Sequence, residues 1–487
     1  MSLEVRRVGS KVASATGSIA PPAGLSIPKV RPDALLYALV LFSWVAVWRI
    51  QDLFPILGSI KFPILIELVA LGLFFANQTY ERQIKWIIKS PILIITLSLL
   101  AIMVVGLPFS LWPGKGFTFI TRDFLPTLVL MVILATSLRE RSDLEWFAFA
   151  HLLGAMLYAF IVFLSFDVGP HGRLGGLVYY DANDLAMLMV CTLPFAIFFL
   201  RPGVPVWKRL IALLAVLLFV VMIIRTGSRG GFLGMIAVMS YILLRYKSIP
   251  VRLRLGAVAG GATLLLAVGS SNYWEMMATL LNPKEDYNMT DETGRSAVWK
   301  RGIGYMFSHP VLGVGVRAFP QAEGMLSETA KRYAERGRGI KWSVAHNSFV
   351  EIGAELGIGG LVLFISMLFI AMRDSARVGK GPRGSPASQT AIYSAQTADD
   401  SAYAQMLIAS FVGYIVCGSF VSAEYFSYLY VLLALVIGQQ AVLRRRALKK
   451  PQQRVHPPMN NGKGMGTRNP GRVVARPVQP HWLPTGS

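Results

Sequence analysis

Cysteine is almost absent from this sequence. There are two in 487 residues, Cys191 and Cys417, each inside an apolar run. That excludes a disulfide framework or a cysteine-rich metal centre, and both thiols are expected as small core residues. Charge is scarce too. Asp, Glu, Lys and Arg make up only 15% of the chain, where soluble domains carry about 25%, so a water-soluble globular fold is not expected. Acidic residues are the scarcer sign, 26 against 48 Lys and Arg. The chain has few histidines, and no His, Cys and Asp cluster has metal-ligand spacing, so no metal and no cofactor are expected. No short apolar segment with a small-residue cleavage site precedes the first long apolar run, and a cleaved secretion signal is not expected.

What is abundant is apolar sequence. Hydrophobic residues make up 54% of the chain, the mean hydropathy is +0.52, and runs long enough to cross a bilayer recur throughout. The pattern predicts an all-α polytopic integral membrane protein with about twelve transmembrane helices. They fall near residues 34–50, 53–76, 91–111, 117–138, 145–166, 183–200, 207–224, 230–246, 253–270, 347–372, 403–422 and 425–443. The second is the weakest segment, because Lys61, Pro63 and Glu67 interrupt it.

The net charge of +22 sorts by side of the membrane rather than toward nucleic acid, which is not an expected partner. One set of alternate short connections holds Arg82, Lys85, Lys89, Arg139, Arg141, Arg201, Arg245, Arg252, Arg373 and Arg377, and both tails belong to it. The excess of Lys and Arg places this set in the cytoplasm, against anionic lipid. The expected organisation follows. Residues 1–33 form a cytoplasmic tail, and 34–372 a membrane core that includes a long outward, periplasmic loop at 270–346. Residues 373–402 form a cytoplasmic loop, 403–443 a membrane hairpin, and 444–487 a disordered basic tail. The long loop sits between helices 9 and 10 and reads as a small helical cap.

Several residues of the outward set are anomalous there. "RTGSRGGFLG" (225–234) is a short turn with Arg225 and Arg229, the latter just before Gly230 and Gly231 at a helix start. Free N–H groups, a positive dipole end and a guanidinium fork suit phosphate oxygens. The glycines would let a ligand approach closely. Two arginines snorkelling to headgroup level fit the turn as well. "TGRSAVWKRGIGYMFSHPVLGVGVRAF" (293–319) places Arg295, Trp299, Lys300 and Arg301 at helical spacing, and Arg317 near its end. A solvated basic helix face also explains it. His309, before Pro310, is expected to end that helix. In "HGRLGGLVYYDANDLAMLMV" (171–190), Asp181 or Asn183 is placed to cap the next span. "KEDYNMTDE" (284–292) reads as a solvated acidic loop. Finally, "AHNSFVEIGAELGIGGLVLF" (345–364) opens an apolar helix on His346 and keeps Glu351 and Glu355 four residues apart. That spacing puts both carboxylates on one face, which must look into the bundle or a wet cavity. A histidine at such a boundary can take a proton from a hydroxyl, or serve as an interfacial cap.

Taken in order, the "SRGG" turn, the long loop with its "GRSAVWKRG…HPVLGVGVRAF" segment and "AHNSFVEIGAELGIGGLVLF" resemble the O-antigen ligase and O-antigen polymerase superfamily, over about residues 170–372. The resemblance implies a membrane glycosyltransferase that moves a glycan from an undecaprenyl-diphosphate carrier to an acceptor hydroxyl on the periplasmic face of the bacterial inner membrane. It implies inverting, metal-independent chemistry, used in lipopolysaccharide or exopolysaccharide biosynthesis. The acceptor would be a glycan, lipid A–core or a protein. By resemblance, Arg229, Arg295 and His346 are the catalytic residues. Arg225, Asn183, Arg317, Glu351 and Glu355 are expected to bind substrate. "PGKGFTFITRDFLP" (113–126) is similar to an exopolysaccharide-associated branch. A repeat-unit polymerase of the same superfamily stays open, as does a lipid-linked glycan flippase. Against the flippase, the distinctive basic residues gather at one end of the helices rather than at mid-membrane.

Overall fold

The computed structural model describes residues 31–169, 173–177, 179–246, 249–282, 287–339, 342–378 and 391–449. Contacts divide the chain into residues 1–445 and 446–487. Of the second unit, only 446–449 are described, as helix. Among the described residues the fold is all-α, with no named strand and one isolated bridge between Val168 and Leu174. Nine helices there are long and apolar enough to cross a membrane: Pro91–Phe109, Pro113–Ser137, Arg141–Ser165, Ala182–Phe199, Val206–Thr226, Val251–Val268, Ser348–Arg377, Thr397–Gly418 and Ser427–Leu448. Three further expected segments are helices of 14, 15 and 17 residues, Ala34–Val47, Phe62–Ala76 and Arg229–Arg245. The chain is a multi-pass membrane protein.

Local chemistry accounts for many helix starts. Asp33 accepts Leu36 N–H, Ser228 accepts Gly231 N–H, and Asn347 accepts Phe349 and Val350 N–H. Proline stands in the first turn of the Phe62, Pro91 and Pro113 helices, where its missing N–H costs nothing. The second expected span is broken. Ile50–Leu53 and Pro55–Ser59 are short helices, flanked by Arg49 and Lys61 in the left-handed region.

The centre of the bundle is Ala182–Phe199, 94% buried, against 6% for Val251–Val268 at the periphery. Glycines bring helices close to it. A Cβ on Gly231 would lie 2.6 Å from Ala186 Cβ, and one on Gly234 would lie 2.3 Å from Cys417 Sγ. Cys191 and Cys417 are free and buried.

The end of the bundle opposite the long loop carries many of the expected cytoplasmic arginines, and several serve the protein rather than lipid. Arg82 pairs with Asp33 at 2.6 Å and Arg201 with Glu145 at 2.7 Å. Arg445 donates to Glu81 O and Leu138 O. The expected loop at 373–402 is shorter. Ser348–Arg377 continues past 372, and Ala391–Gly418 begins before 403, with Asp399 and Asp400 of its N-terminal part paired with Arg141. The expected tail from 444 begins as helix to Lys449. The rest of that tail, residues 1–30 and 379–390 lie outside the described residues.

The long connection after Val268 holds the helices Ser271–Ala278, Tyr287–Thr290, Arg295–Ser308, Phe319–Met325 and Glu328–Glu335. It has a small core of its own around Val298, Tyr305, Phe319 and Ala322, and Arg301 pairs with buried Glu323 at 2.6 Å. Its seat on the bundle is a kink in Ser348–Arg377. Gly357 has φ 73° and ψ −173°, a conformation open essentially to glycine alone. The kink frees backbone groups that the loop takes up. Val314 and Gly315 N–H donate to Ala354 O and Glu355 O at 2.9 and 3.0 Å, and Ile358 N–H donates to Pro310 O at 2.9 Å. His309 caps the Arg295–Ser308 helix, as expected.

Candidate active site

At the loop end of the bundle, three segments distant in sequence enclose a cavity of about 440 Å³. Arg173, Asp181 and Asn183 form one side. Asn288, Thr293 and Arg295 form another, and Ser343 to His346 complete it. Of the residues expected from sequence, His346, Arg295 and Asn183 meet here.

Each is positioned by identifiable bonds. Asp181 caps its helix, accepting Asn183 N–H at 2.7 Å and Asp184 N–H at 2.8 Å, while the Asp184 carboxylate accepts Asp181 N–H. Asn183 Oδ1 accepts from Arg173 Nη2 at 3.2 Å. The Arg173 segment is tied down where Leu174 N–H donates to Arg225 O at 2.9 Å. Arg295 opens its helix after Gly294. One turn on, Trp299 Nε1 donates to Ala345 O at 2.9 Å. Ala345 N–H in turn donates to Glu351 Oε2 at 3.0 Å. Both backbone groups of fully buried Ala345 are thus held, and the next residue is His346, with φ 49°. A left-handed histidine persists only where its surroundings fix it. Trp299 and Glu351 supply that constraint.

The other expected residues lie elsewhere. Arg229 does not line this cavity. Its Nη1 donates to Thr279 Oγ1 at 2.7 Å, because the Ser271–Ala278 helix comes down beside it. The glycines after it do not admit a ligand. A Cβ on Gly230 would meet Phe420 at 2.9 Å, and the Gly231 position is filled by Ala186. Arg225 clamps the end of a neighbouring helix, donating to Phe163 O at 2.7 Å and Phe166 O at 2.9 Å.

Glu351 and Glu355 share one face, as their spacing requires, but that face meets protein donors rather than a wet cavity. Glu351 accepts from Ala345 N–H and the Ser422 hydroxyl. Glu355 accepts from Phe319 N–H at 3.2 Å and Tyr425 OH at 3.0 Å. Arg317 lines a second cavity of about 710 Å³. Glu424 lies beside these groups in the turn after Gly418, fully buried, with no hydrogen-bond partner on either carboxylate oxygen. Burial, reinforced by Glu351 and Glu355, raises its carboxyl well above the usual range, and Arg317 opposes that rise.

Sequence reasoning missed Arg173. It stands in the quoted "HGRLGG" stretch, and the only signal was its nearness to Asn183. It also missed Trp299 as the anchor of the histidine turn.

The architecture is a helical membrane bundle carrying a small loop domain, with a cavity at their junction lined by Arg173, Arg295 and His346. Residues 213–365 match the family model described as O-antigen ligase, which supports the likeness read from the sequence. The matched stretch contains the Arg229 turn, the loop domain, His346 and the Gly357 kink. No curated protein matches the chain.

Proposed function

We propose that this protein is a glycosyltransferase of the bacterial inner membrane, with both termini cytoplasmic and the loop end facing the periplasm. It moves a glycan from an undecaprenyl-diphosphate carrier to an acceptor hydroxyl. The observation that carries this reading is the convergence of Arg295 and His346 on one cavity at the loop end.

His346 accepts the proton of the acceptor hydroxyl as its oxygen attacks the anomeric carbon. The bond from that carbon to the diphosphate oxygen breaks, and the electron pair leaves with the diphosphate. Direct displacement inverts the anomeric centre. Arg295 stabilises the charge that develops on the leaving oxygens, and Arg173 borders the same space. Arg229 stays outside this cavity and braces the start of the long loop through the Thr279 hydroxyl. Asn183 orients Arg173. Arg225, Glu351 and Glu355 act by holding the walls.

A deletion strain tests the reading through its surface glycan. Accumulated long lipid-linked chains would mark a ligase, and single unpolymerised units a polymerase. A strain with unchanged surface glycan and no accumulated carrier-linked intermediate would contradict the proposal.

A further inference from the structure

The long connection does not stay outside the bundle. Its Arg295–Ser308 helix runs back along the start of Ser348–Arg377. Three close approaches set the register. A Cβ on Gly302 would lie 2.6 Å from Val350, and one on Gly353 would lie 2.8 Å from Met306 Sδ. Further on, Ile358 N–H donates to Pro310 O at 2.9 Å. Residues 302, 306 and 310 thus stand level with 350, 353 and 358. Those are two, five and ten residues beyond Ser348, about 3, 8 and 15 Å down a spanning helix.

Two other spans agree on the depth. A Cβ on Gly106, three residues before the end of Pro91–Phe109, would lie 3.8 Å from Leu312 O. One on Gly116, three residues into Pro113–Ser137, would lie 3.2 Å from Val316. The stretch from Pro310 to Val316 therefore lies inside the loop-side ends of three spans. It is irregular backbone, which a bilayer tolerates only where protein takes up its polar groups. Val314 and Gly315 N–H donate to Ala354 O and Glu355 O, and Val314 O accepts from Leu111 N–H at 2.9 Å.

The descending helix has two unlike faces. Val298, Gly302 and Tyr305 are buried. Ile303, Phe307 and Val311 recur every four residues on another side and are 42%, 65% and 77% exposed. Lys300, also exposed, stands at the upper end of this stripe, where an ammonium can reach headgroups while its stem covers apolar surface. The stripe continues surface that a bilayer covers. Ile358, Val362 and Ile365 are exposed on the spanning helix it follows, and Val105 and Phe109 on the span beside Leu312. Between the two helices runs an apolar groove of about 260 Å³, lined by Ile303, Met306, Phe349, Val350 and Leu361. Elsewhere in the loop the helix Glu328–Glu335 exposes Glu328 and Lys331 instead.

We propose that the loop domain is re-entrant, with its Ile303, Phe307 and Val311 face covered by lipid acyl chains of the leaflet on its own side and one chain lying in the groove beside Leu361. Arg295 opens the same helix, so this insertion sets its height relative to the bilayer. The proposal needs only a chain that spans a membrane, and it is independent of the chemistry assigned to His346.

Nitroxide labels on the full chain test it, in liposomes of phosphatidylethanolamine and phosphatidylglycerol. Ile303→Cys, Phe307→Cys and Val311→Cys are labelled singly. Val362→Cys is the lipid-facing reference and Glu328→Cys the aqueous one. All five side chains are exposed, so the substitutions leave the packing in place, checked by melting temperature. Cys191 and Cys417 are buried, and the unsubstituted chain measures their background labelling. Molecular oxygen concentrates in lipid and a nickel chelate, present on both sides, stays in water. The labels at 303, 307 and 311 should shift from the Glu328→Cys ratio of oxygen to chelate collisions to the Val362→Cys ratio, with the ratio rising from 303 to 311. Labels there that meet the chelate as readily as the Glu328→Cys label would overturn the proposal. So would mutual broadening of these labels that disappears on dilution with unlabelled chain, because the cover would then be a second copy.

Discussion

Replacing Trp299 by Phe removes a single hydrogen bond and keeps most of the ring. The bond lost is the 2.9 Å contact from Nε1 to Ala345 O. Ala345 is fully buried, so its carbonyl is left without that donor, a cost of about 1–3 kcal/mol. The larger effect falls on His346, whose backbone is held at φ 49° by the fixed position of Ala345. A left-handed non-glycine residue costs about 1–2 kcal/mol, so the turn relaxes when one of its two anchors goes. Displacement of a catalytic group by about 1 Å can lower a rate about 100-fold. Transfer by Trp299→Phe should therefore fall about 10–100-fold in a reconstituted assay, with donor affinity unchanged, because Arg295 remains in place. Unchanged transfer in a folded Trp299→Phe protein would refute the idea that this indole positions the histidine. Loss of donor binding instead would move Trp299 into the anion site.

Gly357→Ala should destabilise the junction of loop domain and bundle by about 2–6 kcal/mol. This is the sum of a strained backbone and overpacking, since the new Cβ would lie 2.5 Å from Pro310 O. Proteolysis within residues 270–346 measures the loss, and a variant as resistant as the wild type would count against the kink as the loop's seat. Glu424→Gln tests the buried acid. A carboxyl whose pKa is raised by folding keeps a proton that the unfolded chain gives up above about pH 4, so the folded state loses stability as pH rises past that value. The variant should melt higher than the wild type near pH 7–8, with the gap closing toward pH 4. A lower melting temperature at pH 7 would mean that Glu424 is an ionised partner of Arg317.

Much of this architecture was legible in the sequence, because bilayer length and apolar composition constrain helices strongly. The break in the second span was visible in Lys61, Pro63 and Glu67, though not that Arg49 and Lys61 would turn inward on a shared cavity. Asp181 announced its cap by residue type and position. Spacing put Glu351 and Glu355 on one face correctly. Periodicity says nothing of what that face meets, and here it meets Ala345, Ser422, Phe319 and Tyr425. Arg229 illustrates the same limit, since its partner Thr279 comes from a helix fifty residues on. The glycines near it looked like room for a ligand, and the room is taken by Phe420 and Ala186. Arg173 entered the site only through tertiary placement beside Asn183.

The central claim is that His346 performs proton transfer while arginines hold the donor. It is tested most directly by measuring donor binding and single-turnover transfer on the same preparation of His346→Ala, with purified lipid-linked glycan. The account predicts wild-type donor affinity and a transfer rate about 10²–10⁴-fold lower, the range for removing a general base. A variant that binds no donor, yet transfers what little it binds at the wild-type rate, would contradict it.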